Sequence, residues 1–211
     1  TFAREPRYST NPIAFAAPAE RNDPFVLDMA TSTVAVGKIN IARRAGKPLP
    51  TGWAVNAEGQ PEHDAEAAYE SKPKRLTPLG GTRELGSHKG YGLAMMVEVL
   101  SSMLTDGGVG GHDTQTWEPG EYLNIGHFML VIDPARFGAP AAFGQRMDRL
   151  IDMLHGTPSA DPEHPVQVPG DAEHAAVLQR QRDGIPVVAK LMQELRDVSS
   201  RCGAEFILPT P

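Results

Sequence analysis

The sequence predicts a mixed α/β chain. Two short apolar runs closed by prolines and polar turns read as strands. Apolar residues at helical spacing recur in four further stretches, and one near-continuous apolar run has the pattern of a strand buried on both faces.

The first two strands are 13–17 and 25–27, separated by the polar turn Glu20-Arg21-Asn22-Asp23. Thr31 or Ser32 is placed to cap the helix that follows. In it Ala35, Ile39 and Ala42 recur at helical spacing, with Val34, Ile41 and Ala45 beside them, until Gly46 and Pro48 stop it. A buried stripe is expected there. The stretch 49–74, rich in Pro, Gly and charge, reads as an excursion over the surface with Trp53-Ala54-Val55 as its one apolar anchor. The most regular helical pattern is Leu93, Met96, Val97, Leu100, Met103 and Leu104, ended by Asp106-Gly107-Gly108. Residues 124–132 are the clearest strand, closed by Asp133-Pro134. Phe143, Met147, Leu150, Ile151 and Leu154 mark another helix. Val188, Leu191, Met192, Leu195 and Val198 mark the last, entered through Pro186. Between these two helices, 157–171 holds four prolines and no periodicity, the composition of an ordered loop or short linker.

Composition narrows the function classes. The 211 residues, 40% of them hydrophobic, suffice for a real core in one large or two small domains. Twenty Lys and Arg against 26 Asp and Glu leave a net charge of −6, which argues against a nucleic-acid or anionic-membrane surface and favours small-molecule partners. The single cysteine, Cys202, excludes an internal disulfide framework and multi-cysteine zinc sites, in keeping with a reducing cytoplasmic setting. No run approaches the ~18 apolar residues of a membrane span, and Thr1-Phe2-Ala3-Arg4-Glu5 lacks a signal-peptide layout.

Two joints between a turn and a helix carry the chemistry, Phe25 to Ser32 and Leu85 to Leu93. Each places a charged residue, Asp28 or Lys89, beside a helix start, where unpaired N–H groups and the helix dipole favour an anion. Familiar signatures fail nearby. Gly81 to Gly86 has P-loop spacing, but Ser87 and His88 stand where Lys and Ser or Thr are required, and Gly90-Tyr91-Gly92 lacks the third glycine of a dinucleotide fingerprint. From spacing alone, Lys89 is read more readily as a solvated first-turn lysine than as a phosphate ligand. His88 shows no carboxylate partner in sequence, and Asp28 suits a ligand edge and a helix start equally. His127, inside the apolar run, reads as a satisfied core histidine. His63, His112, His155, His164 and His174 show no metal-ligand spacing, so no metal site is expected. Arg43, Arg44 and Lys47 could meet a phosphate, although cations in the last turn of a helix are also what its dipole favours.

Eight segments together resemble the malate/L-lactate dehydrogenase-like family of NAD(P)-dependent 2-oxoacid reductases. They are Thr10-Asn11-Pro12-Ile13-Ala14-Phe15-Ala16-Ala17-Pro18, Asp28-Met29-Ala30-Thr31-Ser32, Gly37-Lys38, Ala42-Arg43-Arg44-Ala45-Gly46-Lys47, Gly52-Trp53-Ala54, His88-Lys89-Gly90-Tyr91-Gly92-Leu93, Gly126-His127-Phe128 and Pro169-Gly170. The resemblance implies a nicotinamide cofactor, NAD or NADP, held by Asp28, Met29, Ala30, Lys89 and Gly170. His88, Asp171 and Ala172 join that set through the same segments. It reverses the preference for a solvated Lys89. It also implies a non-Rossmann fold with a mixed, largely antiparallel sheet flanked by helices. Residues 1–135 would form the cofactor-binding domain and 136–211 a helical segment completing the core. A homodimer and a small 2-oxo or 2-hydroxy acid substrate are implied as well.

Members of that family carry, ahead of the Thr-Asn-Pro segment, a region with a Ser-His-Gly motif, a downstream Arg and the proton-transferring His. None of the seven histidines here lies in a matching motif. The catalytic acid is therefore assigned to no residue of this sequence, and the isolated chain is expected to be inactive on 2-oxo acids. The alternative reading is a non-catalytic nucleotide-binding or assembly module derived from the same family.

Overall fold

The first two strands form the hairpin that organises the site. In the computed structural model, which describes residues 3, 5–110 and 124–208, β1 (Ile13–Ala17) pairs antiparallel with β2 (Phe25–Met29), Ala14 opposite Asp28 and Ala16 opposite Val26. Residues directly opposite share a face, so Ala14, Ala16, Val26 and Asp28 lie on one side and Ile13, Phe15, Ala17, Phe25, Leu27 and Met29 on the other. The turn between the strands is held from outside: the buried carboxylate of Asp148 accepts from the backbone N–H groups of Arg21 and Asn22, and Arg21 pairs with Asp152. His112 and residues 1, 2 and 4 of the N-terminal layout lie outside the described residues.

Helix α1 (Val36–Arg44) starts later than its hydroxyl residues suggest. Its N-cap is Ala35, because the Thr31 hydroxyl donates to the carbonyls of Thr10 and Asn11 and the Ser32 hydroxyl to that of Val34. Those hydroxyls fix the chain crossing instead of a helix end. Ile39, 1% exposed, enters the core as expected, whereas Ile41 and Ala45 face out. The stretch 49–74 is a larger correction. Leu49, Ala54, Ala65 and Ala68 are core residues packed with Val34 and Ile39, and Trp53, Tyr69 and Leu76 lie against them. A short helix, α2 (Ala65–Glu70), forms within this stretch, capped by the Asp64 carboxylate, which accepts from the N–H groups of Glu66 and Ala67. Small alanines packed beside α1 carry little periodic signal, which is why this part of the core reads as surface.

Helix α3 (Ser87–Glu98) begins six residues before its apolar stripe, behind the N-cap Gly86 with φ +91°, and continues into a π turn, Val99–Met103. Its buried face is Ser87, Gly90 and Ala94, while Met96, Met103 and Leu104 are exposed. The helix packs through small residues because the partner is backbone: a Cβ on Gly90 would overlap the N and O of Leu79. Asn11 fastens β1 to this helix, its Nδ2 donating to the Ala94 carbonyl (3.0 Å) and to Glu98 Oε2 (3.0 Å).

The predicted strand 124–132 does not form among the described residues. The run is exposed, Met129 by 88% and Val131 by 93%, and His127 is exposed with it. An apolar run becomes a strand only where a neighbour takes its N–H and C=O groups, and sequence supplies the run without the neighbour. A 3₁₀ turn (Pro134–Arg136) leads to α4 (Pro140–His155), which matches the expected helix and buries Ile151.

The chain divides into two compact units, Thr1–Asp171 and Ala172–Pro211. In the second, most of α5 (Asp171–Asp183) is followed by α6 (Ala189–Cys202), which ends at Gly203 with φ +66°. The sequence reading placed α6 at 188–198 but left α5 unassigned, since its apolar residues do not segregate to one face.

Candidate functional site

Backbone hydrogen bonds around the end of β2 bring the two predicted joints together. Thr31 N–H donates to the Thr10 carbonyl (2.9 Å), Leu79 N–H to the Thr31 carbonyl (2.9 Å), and Thr33 N–H to the Thr77 carbonyl (2.8 Å). Asp28-Met29-Ala30 thus runs directly into a segment joined to Leu79, on whose backbone Gly90 is seated. Only glycine permits that approach, and it fixes the first turn of α3, with Lys89 on it, relative to β2. Asp28, His88 and Lys89 are exposed, and Met29 and Ala30 are half-buried. Lys89 N–H donates to the Gly86 carbonyl (2.9 Å), leaving its ammonium group at the solvent-facing start of the helix.

The Pro-Gly segment lies along the beginning of the same strand. Val26 N–H donates to the Pro169 carbonyl (3.0 Å). Gly170 takes φ +111°, and a Cβ there would come within 3.3 Å of the Pro24 carbonyl oxygen. Asp171 closes the turn, its Oδ2 accepting from Val168 N–H (2.7 Å) and from Nε2 of His155 (2.7 Å). Asp171, predicted as a cofactor residue, therefore has a structural duty in the loop. Ala172, exposed, begins the second unit.

A cavity of about 410 Å³ lies beside these segments, with Thr31, Ser32, Pro78 and Tyr91 in its wall. The wall thus takes residues flanking Asp28-Met29-Ala30 and Lys89 rather than those residues themselves. Three cations, Arg7, Lys74 and Arg75, also line it against one carboxylate, Glu5, which pairs with Arg7. Tyr8 stacks on Tyr91 at 5.8 Å, and burial, reinforced by the neighbouring Tyr91 phenol, pushes the Tyr8 pKa up. Sequence reasoning singled out neither Tyr8 nor Arg75. The one available signal was the apolar stretch Leu76-Thr77-Pro78-Leu79 beside Arg75, which marks the chain as returning to the core.

The other candidates settle into structural roles. Arg43 donates to Asn40 Oδ1 (3.0 Å), pairs with Glu66 (3.3 Å) and lies 4.3 Å from the Tyr69 ring centroid, so it braces α1 against α2. His63 bonds the Leu49 carbonyl and His164 bonds Asp161. Among the described residues, no group of three or more His, Cys, Asp or Glu is arranged to hold a metal, and no helix is long and apolar enough to cross a membrane.

Comparison with known proteins bears on this arrangement. Residues 1–196 match the family model described as malate/L-lactate dehydrogenase. The chain is 38% identical over 197 residues to the malate dehydrogenase of Pyrococcus horikoshii, covering 93% of this chain and 53% of that protein. It is 37% identical over 195 residues to the (2R)-3-sulfolactate dehydrogenase (NADP(+)) of Chromohalobacter salexigens, again covering 53% of that protein. Among solved structures, the malate dehydrogenase of Entamoeba histolytica superposes with a TM-score of 0.81 at 27% identity, over 95% of this chain and 55% of that one. The chain spans about half the length of the relatives it matches. It belongs to the malate/L-lactate dehydrogenase family.

Proposed function

We propose that this chain carries the nicotinamide-binding part of an NAD(P)-dependent oxidoreductase that interconverts 2-hydroxy and 2-oxo acids. The observation that carries the reading is the convergence on β2: Thr31 and Leu79 join one end to the Lys89 turn, and Val26 and Pro169 join the other to the Gly170 loop. Segments distant in sequence are thereby held on one short strand, as positioning of a large two-ended ligand requires.

The residues fit such a ligand. Lys89 at the exposed start of a 12-residue helix offers charge and dipole to a phosphate. Asp28 offers a carboxylate beside the small side chains of Ala14, Ala16 and Val26, a face open to a flat ring. Met29, Ala30 and His88 border these two groups, and Gly170 with Asp171 and Ala172 supplies the third segment. When bound, the nicotinamide supplies or accepts the hydride. The chain's own task is to orient it and keep its phosphates paired.

The finer reading extends to NAD or NADP as cofactor, a small 2-oxo or 2-hydroxy acid as substrate, a homodimer and a cytoplasmic location. We take the fold as a non-Rossmann one built on a mixed, largely antiparallel sheet, with 1–135 binding the cofactor and 136–211 completing the core. The names of the matched malate and sulfolactate dehydrogenases support the substrate class. A fluorescence titration of NADPH and NADH against the purified chain tests the reading.

A further inference from the structure

The exposed run after Gly126 forms one wall of an apolar groove. Residues 13–17 of β1, from both faces of the strand, line another wall, Phe128, Leu130 and Ile132 line this one, and the groove encloses about 630 Å³. Met96 and Val97 of α3 and Leu100 of the π turn also line it, part of the stripe that the sequence marks for burial. The run is pinned at its start, where a side chain on Gly126 would overlap the Ser101 carbonyl of the π turn and Gly108 N–H donates to the Asn124 carbonyl (2.8 Å). Beyond that anchor it extends with apolar residues on both sides: the even-numbered ones face the groove, and Met129 and Val131 stand bare.

A small ligand in the groove would leave Met129 and Val131 uncovered, so the occupant must be polypeptide. Among the described residues β1 pairs with β2 alone, which leaves its outer edge as a template on the groove side. The matched relatives also carry nearly as much polypeptide again as this chain covers, 53% of the Pyrococcus horikoshii protein being matched. We infer that an extended strand from the portion of the protein corresponding to that unmatched length inserts between β1 and residues 128–132, pairing with both and extending the two-stranded sheet. Its apolar side chains fill the groove, and polypeptide flanking it covers Met129 and Val131.

The test supplies that length from the Pyrococcus horikoshii relative, once fused ahead of this chain and once as a separate co-expressed polypeptide, and reads amide exchange with the 211-residue chain alone as reference. Exchange at 128–132 and at β1 is expected to slow by at least about tenfold when the polypeptide is present. Val131→Asp should leave the melting temperature of the chain alone unchanged, lower that of the fusion by about 5 °C or more, and abolish retention of the separate polypeptide. Undiminished exchange at 128–132 in the fusion would overturn the inference. So would retention indifferent to Val131→Asp, absence of retention with the unaltered chain, or concentration-dependent protection of 128–132 in the chain alone, which would give the groove to a second copy.

Discussion

The backbone of Leu79 fills the space that a side chain on Gly90 would need, so the turn of α3 bearing Lys89 is seated on the segment hydrogen-bonded to Thr31. Gly90→Ala should therefore destabilise the chain by about 1–3 kcal/mol as an overpacked backbone contact. Gly92, two residues on, has nothing within 4 Å of the same position, and Gly92→Ala should stabilise by about 0.5–1 kcal/mol through helix propensity. Urea unfolding of the two variants gives the opposite signs directly.

His155 and Asp171 make a clasp that holds the Gly170 loop to the body of the first unit. The 2.7 Å bond between Nε2 and Oδ2 tightens the turn whose Pro169 carbonyl accepts from Val26 N–H. His155→Ala should speed exchange of the Val26 amide by about tenfold, the scale of one lost hydrogen bond. His155→Gln, which retains an N–H donor, should restore much of the protection. Residue-resolved exchange by NMR separates the three proteins.

Asp148 ties the β1–β2 turn to α4, and its pKa is lowered by the N–H groups of Asn22 and then Arg21 that its carboxylate accepts. A depressed folded value means that the unfolded chain takes up the proton first. The stabilisation is present above the usual carboxylate range, near pH ~3.9, and is lost as pH falls through the lower folded value. Asp152 is depressed as well, by Asn22 and Arg21. The melting temperature should fall on acidification, and Asp148→Asn should lower it at pH 7 while flattening its dependence on acid.

Much of this arrangement is legible in the sequence where a residue's role is local. β1, α4 and α6 follow from apolar period and breakers, and the glycine joint before Lys89 is visible as a glycine joint. The rest depends on partners. Thr31 and Ser32 look like caps until Asn11 and Val34 are placed near them, Ala65 and Ala68 look like surface until α1 covers them, and 124–132 is a strand only with another strand beside it. In the candidate site, Asp28 and Lys89 stand out by type and position. The contacts joining them, Thr31 with Leu79 across 48 residues and Leu79 with Gly90 across 11, have no sequence signature. Asp171 is visible as a residue of the Pro-Gly loop, but its pairing with His155 is not.

The isolated chain should show negligible turnover of pyruvate or oxaloacetate, because none of its seven histidines lies in a motif matching that of the family's proton-transferring His. An NADH-oxidation assay on the purified 211-residue chain checks this, and robust activity would place the acid within it.

The most direct test of the central claim is a fluorescence titration of NADPH against the purified chain, Lys89→Ala and Lys47→Ala. Lys89 stands at the start of α3, beside the segment joined to Asp28-Met29-Ala30, and Lys47 is a solvated cation beyond the end of α1. Saturable binding by the chain, weakened about tenfold by Lys89→Ala and unchanged by Lys47→Ala, is the predicted result. Absence of binding, or equal affinities for all three proteins, would contradict the assignment.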